Sequence, residues 1–296
     1  MTGIICVNKP AGITSFGVVA KVRGITKEKK CGHTGTLDPM ATGVLPIMLG
    51  SATRFLNYLP DSDKGYRARF ILGKTTDTLD ITGEVTGTFP VNADAADIAA
   101  VLPQFTGTIQ QLPPMYSAKS VDGVRLYELA RRGIAVERQP CTVTVKELKL
   151  LGEANGEYTV EVLCSKGTYI RSLIDDIGRT LGCGAVMTAL ERTQAMGFTL
   201  ADCVSLEALE AMKDSGDFSP ALHRLEDLFA AYQQVTVSEA QARRFANGGA
   251  LDMKRVKASP CLGETVTVRA PDGAFLGLGK NTGEELAAVR LLPHNN

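Results

Sequence analysis

Residues 32–46 form the segment that most restricts how this chain can fold: Gly-His-Thr-Gly-Thr-Leu-Asp-Pro-Met-Ala-Thr-Gly-Val-Leu-Pro. Its three glycines release the backbone from the limits that a side chain imposes, and Pro39 disfavours helical geometry at Asp38. One regular helix or strand across the whole segment is therefore excluded. The segment predicts a stiff, irregular loop that presents a single carboxylate, Asp38, with His33 five residues before it.

Both strands and helices are predicted around this loop. Strands are indicated by apolar or alternating runs at 4–7, 44–49, 66–72, 142–151 and 158–164. Helices are indicated from Thr14 or Ser15 to Gly24, from Ser51 to Leu59, near 93–102 and at 170–181. The strands at 142–151 and 158–164 are close enough in sequence to pair with each other.

Three later segments differ in character from this main part. Residues 113–140 are polar, aromatic and basic, which indicates an insertion between strands. Residues 200–230 are acidic and are predicted to be a linker with a helix capped by Ser205. Residues 231–296 contain a capping box at Ser238 and a hairpin signal at 271–273, among several short strands. We therefore predict a main domain at 1–230 and a small β-barrel module at 231–296.

Composition excludes several classes of protein. Hydrophobic residues make up 44% and charged residues 22%, as is ordinary for a globular protein, and no apolar run is long enough to span a membrane. Seven scattered cysteines without a Cys-x-x-Cys pair favour reduced thiols in the cytoplasm. The three histidines, His33, His223 and His294, are far apart, so we expect no metal site.

The net charge is zero, but the charges are unevenly distributed. Residues 21–30 and residues 241–257 each carry five basic residues against one acidic residue. Basic patches of this kind are typical of a surface that meets a phosphate backbone. Ordinary solvated surface charge is the alternative for each patch.

The loop sequence resembles the aspartate motif of the TruB family, the bacterial pseudouridine synthases that modify the T-loop uridine at position 55 of tRNA. The named positions of the pattern Gly-His-x-Gly-Thr-Leu-Asp-Pro-x-Ala-x-Gly-x-Leu-Pro all match. The resemblance implies an α+β pseudouridine-synthase fold with a mixed central β-sheet flanked by helices. It further implies that the insertion grips RNA and that the C-terminal module is PUA-like and binds RNA.

The resemblance also implies catalytic roles for three residues. Asp38 is expected to act as the nucleophile, either at the ribose C1′ or at the uracil C6, or to assist as a base. Arg171, within the segment Cys-Ser-Lys-Gly-Thr-Tyr-Ile-Arg-Ser-Leu, is expected to pair with Asp38. Tyr66 is expected to lie on the target base and to accept the proton from C5. No cofactor is required, because nothing is oxidised and no external group is transferred.

A further set of residues is expected to bind the substrate. His33 is expected to enter the RNA stack in place of the flipped base, and Leu190 to form an apolar pocket wall. The other candidates are Lys9, Thr36, Lys119, Tyr169, Arg243 and Arg244. One position departs from the family pattern, since Glu191 stands where an arginine is expected.

The expected partner is the T-arm of tRNA, with no membrane and no protein partner, and the expected state is a monomer. One alternative is the RNA-guided pseudouridine synthase of archaea and eukaryotes, which shares the aspartate motif. The insertion at 113–140 favours the stand-alone enzyme over that alternative. A second alternative is a tRNA-binding folding helper in which catalysis is secondary.

Overall fold

The computed structural model describes residues 1–117, 119–121, 123–134 and 136–293. His294 therefore lies outside the described residues. In chain order the strands are β1 (Gly3–Lys9), β2 (Cys31–His33), β3 (Thr42–Leu49), β4 (Lys64–Leu72), β5 (Lys74–Thr76), β6 (Val85–Thr88), β7 (Gly107–Gln111), β8 (Ser120–Val121), β9 (Val124–Arg125), β10 (Cys141–Ala154), β11 (Glu157–Cys164), β12 (Ala185–Ala195), β13 (Phe198–Thr199), β14 (Leu222–His223), β15 (Gln234–Thr236), β16 (Leu251–Asp252), β17 (Thr265–Arg269), β18 (Phe275–Asn281) and β19 (Glu285–Leu291). The α-helices are α1 (Ser15–Thr26), α2 (Ala95–Val101), α3 (Leu126–Arg131), α4 (Ile170–Thr180), α5 (Leu206–Ala211) and α6 (Glu239–Ala246).

The main sheet is mixed and runs in the order β14-β1-β3-β12-β4-β11-β10-β7, with β2 paired to β3 and β13 paired to β12. The β3–β12 pair is parallel, and the other pairs along this order are antiparallel. The C-terminal strands form a separate five-stranded sheet in the order β15-β17-β18-β19-β16. The predicted α+β class, with a mixed central sheet, flanking helices and a small C-terminal β-module, is confirmed.

Both faces of the sheet are covered at β1 and β3. Ile5 and Val7 join the core under helices α1, α4 and α5. Ile4 and Cys6 point to the opposite face, where they join a second cluster that includes Phe275 of β18. A strand buried on both faces reads as a continuous apolar run, which explains why Ile4–Val7 shows no alternation.

Two predictions about local structure are wrong, and one strand was missed. Helix α1 continues through Gly24 and ends at Thr26, with Lys27 in the left-handed conformation, because Ile25 is buried in the core. Ser51 does not cap a helix: residues Gly50–Tyr58 form a 3₁₀-helix without a side-chain cap. Strand β12, at the centre of the sheet, was not predicted at all.

The predicted linker at 200–230 is also wrong, because this segment is a packed part of the main domain. Its strand β14 pairs with β1. Leu206 and Leu209 of α5 are buried in the helical core, and Phe229 is buried in the second cluster. Ser205 does cap α5, by accepting a hydrogen bond from the backbone N–H of Ala208.

Within the described ranges, no helix is long and apolar enough to cross a membrane. In the same part of the chain, no cluster of three or more histidine, cysteine, aspartate or glutamate residues is arranged to hold a metal ion.

Candidate functional site

The aspartate loop, residues 34–41, is fixed between β2 and β3 by two side chains from the start of the chain. Lys9 of β1 donates from Nζ to three backbone carbonyl oxygens at 2.6–3.1 Å, two of them on Pro39 and Ala41 of the loop. Ser15 Oγ accepts from the backbone N–H of Leu37 at 2.8 Å and donates to its carbonyl oxygen at 3.0 Å. The loop is therefore irregular and well fixed at the same time.

The ammonium group of Lys9 is thereby engaged by the protein itself. Its side chain is fully buried, and its three N–H donors are used by the carbonyl oxygens. Burial lowers its pKa to about 8, although the nearby Asp38 opposes this shift. The geometry therefore favours a role in shaping the loop, and a contact between Lys9 and substrate stays a prediction.

Arg192 of β12 holds the loop from the other side, and it was missed in the sequence. It is fully buried and donates from Nε to the carbonyl oxygen of Val44 at 2.7 Å. Its two terminal nitrogens face the carbonyl oxygens of Thr36 and Gly35 at 3.4 and 3.2 Å. Gly43 permits the close pairing of β3 with the backbone of Arg192, because a Cβ there would lie 2.2 Å from the Arg192 carbonyl oxygen. The run Arg-Thr-x-x-x-Gly-Phe at 192–198 was the available signal.

Asp38 and Arg171 are in direct contact, although 133 residues separate them. Arg171 Nε lies 2.9 Å from Asp38 Oδ2, and its Nη2 donates to Oδ1 at 3.0 Å. This is a bidentate pair, which fixes both the position and the rotation of the carboxylate. The sequence resemblance implied this pairing, and the structure brings the two residues together.

Arg171 is itself fixed by buried acceptors. It donates to the carbonyl oxygens of Thr78 at 2.9 Å and Tyr116 at 2.8 Å, and its Nη1 lies 3.6 Å from Asp80 Oδ2. Its side chain is 6% exposed, whereas that of Asp38 is 31% exposed. The carboxylate is thus the member of the pair that faces the open space.

The pKa of Asp38 is raised above its ordinary value. Burial is the largest cause of the raised pKa, and the nearby Asp80 carboxylate raises it further. The bidentate guanidinium of Arg171, called the Arg171 fork below, and Lys9 lower the pKa. Arg171 therefore keeps a partly buried carboxylate available in its ionised form.

A cavity of about 180 Å³ brings several predicted residues together beside this carboxylate. Its lining includes Asp38, Tyr66, Arg171, Thr36, Tyr169 and Leu190. Leu190 is buried and supplies an apolar wall. The rest of the lining combines polar side chains with Leu37 and Ile170, so the cavity suits a flat ring with polar edges and apolar faces.

Tyr66 lies on β4, opposite Arg192 of β12 in the strand register. Burial raises its pKa to about 12, and the adjacent Arg192 guanidinium limits that shift. The hydroxyl is therefore protonated at neutral pH, and Arg192 is placed to stabilise any negative charge that develops on it.

Tyr169 is held by a residue that was not predicted. Its backbone N–H donates to Gln111 Oε1 at 2.7 Å, and Gln111 Nε2 donates to its carbonyl oxygen at 2.9 Å. Tyr169 stands directly before α4, at the N-cap position. This pair of hydrogen bonds fixes the start of the helix that carries Arg171.

A second, larger cavity of about 690 Å³ adjoins the first, between the aspartate loop and the insertion. The loop side contributes His33, and the insertion contributes Tyr116, Arg125, Tyr127 and Arg131. Burial and Arg192 lower the pKa of His33. Within the described residues its Nδ1 has no hydrogen-bond partner. His33 is thus a neutral ring at the edge of the cleft.

Three predicted residues lie apart from both cavities. Lys119 Nζ lies 2.6 Å from Cys141 Sγ at the base of the insertion. Arg243 and Arg244 lie on α6 of the C-terminal module, where Arg243 is 3.7 Å from Glu239 and Arg244 Nε donates to Ala250. Any contacts that they make with RNA therefore belong to surfaces outside these two cavities.

Comparison with known proteins assigns the family. Residues 23–170 match the TruB family pseudouridylate synthase N-terminal domain, and residues 171–227 match the tRNA pseudouridylate synthase B C-terminal domain. The tRNA pseudouridine synthase B of Pseudomonas fluorescens (strain Pf0-1) is 46% identical over 299 residues, covering 99% of this chain and 95% of that protein. The protein of the same name from Clostridium kluyveri is 40% identical over 291 residues, covering 98% and 99%.

Solved structures agree on the fold. A Cbf5-Nop10-Gar1 complex matches with a TM-score of 0.74 and 27% identity over 98% of this chain and 85% of that chain. An H/ACA RNP bound to a substrate RNA containing 2′-deoxyuridine matches with a TM-score of 0.73 and 24% identity over 98% and 85%. The sequence matches and the shared fold lead to one assignment: the chain belongs to the TruB family of pseudouridylate synthases.

Proposed function

We propose that this protein is a tRNA pseudouridine synthase that isomerises the T-loop uridine at position 55. The observation that carries the proposal is the Asp38 carboxylate, held by the Arg171 fork at 2.9 and 3.0 Å on the wall of a cavity lined by Tyr66 and Leu190. Family membership supports the reaction, and the names of the relatives support tRNA as the substrate.

The reaction breaks the N1–C1′ bond, turns the uracil, and joins C5 to C1′. The Asp38 carboxylate acts as the nucleophile, at C1′ or at C6, and is released when the new bond forms. The Arg171 fork fixes the direction of attack. One proton must leave C5 and one must reach N1, so the product is an isomer of the substrate and no oxidant or reductant is consumed.

Tyr66 is proposed to stack on the base and to receive the C5 proton. With a pKa of about 12, its hydroxyl is neutral before the step, so it must pass its own proton to N1 or to solvent as it takes the proton from C5. The Arg192 guanidinium beside it favours the phenolate and so helps the oxygen to act as a base. His33, a neutral ring at the edge of the cleft, is proposed to fill the place that the flipped base leaves in the RNA.

The cleft of about 690 Å³ is the proposed seat of the T-arm. Arg125 and Arg131 supply positive charge, and the Arg131 guanidinium lies 5.5 Å from the centre of the Tyr127 ring. Aromatic and arginine side chains together suit stacked bases and phosphates.

We further propose the division into a catalytic domain at 1–230 and an RNA-binding module at 231–296. The separate five-stranded sheet and its own buried cluster support it. Arg243, Arg244 and Lys119 are proposed to contact phosphates. The enzyme is proposed to act as a monomer, without a protein partner, on tRNA in the cytoplasm.

The test is Asp38→Asn in the full-length protein, with Asp61→Asn as a matched control. Asp61 is 77% exposed and pairs with Lys166 on the surface, so its change should leave turnover unaltered. We expect Asp38→Asn to abolish pseudouridine formation in T-loop RNA while retaining most of its RNA affinity, because phosphate contacts dominate affinity.

The same variants separate catalysis from a folding role. Refolding of misfolded tRNA by Asp38→Asn, measured by its aminoacylation, would show a second activity that does not need the carboxylate. Wild-type turnover by Asp38→Asn would refute the catalytic proposal.

A further inference from the structure

Lys64, the first residue of β4, lines the cavity of about 180 Å³ together with Asp38 and Tyr66. Its side chain is half-buried. The ammonium group lies against the aspartate loop at Gly35, where an added Cβ would be 3.2 Å from Nζ. A glycine at this position therefore leaves room for the ammonium at the cavity wall.

The other cations of the site already have acceptors. Arg171 is paired with Asp38 and is close to Asp80, while Lys9 and Arg192 donate to backbone carbonyls. Among the residues that the structure describes, no carboxylate lies within 4.0 Å of Lys64 Nζ, and no acceptor lies at hydrogen-bond distance from it. Among the described residues that line the cavity of about 180 Å³, Lys64 is thus the one cation without a carboxylate partner.

The surroundings of Lys64 disfavour its charge. Burial is the main reason that its pKa is lowered to about 8, and Arg192 and Lys166 add repulsion. The titratable and charged groups that face it are Arg192 on β12, Cys164 on β11, Lys166 in the following loop, and Tyr66 and Asp38 in the cavity. The one carboxylate in that set is engaged by Arg171, so an anion from outside is the missing partner.

We propose that Lys64 binds the phosphodiester adjacent to the target nucleotide. The inference rests on the proposed function, which places a nucleotide in this cavity. Uracil and ribose carry no formal charge, whereas each nucleotide that enters the cavity brings a phosphate with it. A phosphate beside Nζ would form a charge-assisted hydrogen bond and offset the burial of the ammonium.

This contact predicts a proton linkage. Above pH 8 the free protein has lost most of the Lys64 charge, and the bound RNA restores it, so binding takes up a proton. Since the contact needs the charged form, RNA affinity should fall by about fivefold between about pH 7 and pH 9. Lys64→Arg keeps a cation at every pH in this range and should remove that dependence.

The experiment measures the Kd of a T-loop stem-loop RNA in the Asp38→Asn background, which prevents turnover. At neutral pH we expect Lys64→Met to weaken binding by about tenfold, and to lower the slope of log Kd against log salt by about 0.7–0.9. Lys146→Met is the control, because Lys146 is exposed and its Nζ lies 2.7 Å from Asp63. It should keep the affinity of the parent protein.

The outcomes separate this inference from the proposed function. If the wild-type enzyme forms no pseudouridine in the same RNA, the proposed function fails. If the wild-type enzyme forms pseudouridine but Lys64→Met keeps the RNA affinity and the salt slope of the parent protein, the phosphate contact is overturned. This holds even if Lys64→Met lowers kcat. If Lys64→Met does not fold, the pH dependence of RNA binding by the parent protein and by Lys64→Arg still tests the contact. The inference is overturned if the RNA affinity of the parent protein, which has Lys64, does not change with pH. It is also overturned if the affinity of Lys64→Arg changes with pH as much as that of the parent protein.

Discussion

Replacing Arg171 by lysine tests how far geometry, as distinct from charge, controls the carboxylate. The guanidinium makes two contacts to Asp38 and donates to the carbonyl oxygens of Thr78 and Tyr116. A lysine keeps the positive charge but offers its donors from one atom, so it cannot span all four acceptors. At least one buried acceptor then loses its partner.

The size of the effect follows from these contacts. An unsatisfied buried acceptor costs about 1–3 kcal/mol, so losing one or two partly buried acceptors here predicts a destabilisation of about 1–4 kcal/mol. For a chain of 296 residues, whose unfolding entropy is about 0.6 kcal/mol/K, that corresponds to a fall in Tm of about 2–6 °C. A carboxylate displaced by about 1 Å loses about two orders of magnitude in rate. We therefore expect kcat to fall about 100-fold in Arg171→Lys.

The assay follows tritium release from C5 of labelled uridine in T-loop RNA, at saturating enzyme. Arg179→Lys is the matched control, because Arg179 lies on the same helix, is 70% exposed and pairs with Asp175 at 2.7 Å. It should retain wild-type kcat. An Arg171→Lys protein with kcat within about threefold of wild type and an unchanged Tm would refute the positioning argument.

The pH profile gives an independent reading of the same substitution. Arg171 lowers the pKa of Asp38 against the effect of burial, so a poorer fork should raise that pKa further. The reactive carboxylate is lost as the pH falls through its pKa. The acid limb of kcat/KM should therefore move to higher pH in Arg171→Lys, and a limb that stays in place would show that Asp38 does not titrate there.

Two further predictions concern Tyr66 and the C-terminal module. Tyr66→Phe keeps the ring but loses the proton acceptor, so we expect tritium release to fall about 10²–10⁴-fold with RNA affinity maintained; normal release would leave Tyr66 only a stacking role. Removal of residues 232–296 should expose Phe55 and Phe229, whose rings contact Phe275 at centroid distances of 5.8 and 6.2 Å. Even Phe275→Ala should cost about 3–5 kcal/mol in thermal unfolding, and a stable 1–231 fragment with full RNA affinity would contradict both the packing and the RNA-binding role of the module.

Short sequence motifs predicted many elements of the fold, because contacts between residues that are close in sequence determine those elements. Ser238 and Gln241 form the expected capping box at α6, and the strands around Pro271–Gly273 pair as the expected hairpin. The paired strands β10 and β11 are joined by a short turn and also follow from sequence alone. In each case the deciding groups are within a few residues of one another.

The central strand β12 could not be recognised in this way. Ala185–Ala195 is rich in alanine, methionine, leucine, glutamate, arginine and glutamine, which favour helix, and its strand conformation depends on pairing with β3 and β4. Arg192 was missed for a related reason, because its acceptors are carbonyl oxygens about 150 residues earlier in the chain. The Asp38–Arg171 contact is equally distant and followed only from the family resemblance.

The strand order has a consequence for synthesis of the protein. Strand β3 follows the loop that contains Asp38, and strand β4 contains Tyr66. In the sheet these two strands are separated by β12, a segment translated more than a hundred residues later. Pairings between such distant segments form slowly, and the edges of β3 and β4 stay open while the ribosome completes the chain. The nascent polypeptide therefore contains Asp38, the proposed nucleophile, well before β12 completes the pocket, and we expect activity to begin only once β12 has left the exit tunnel.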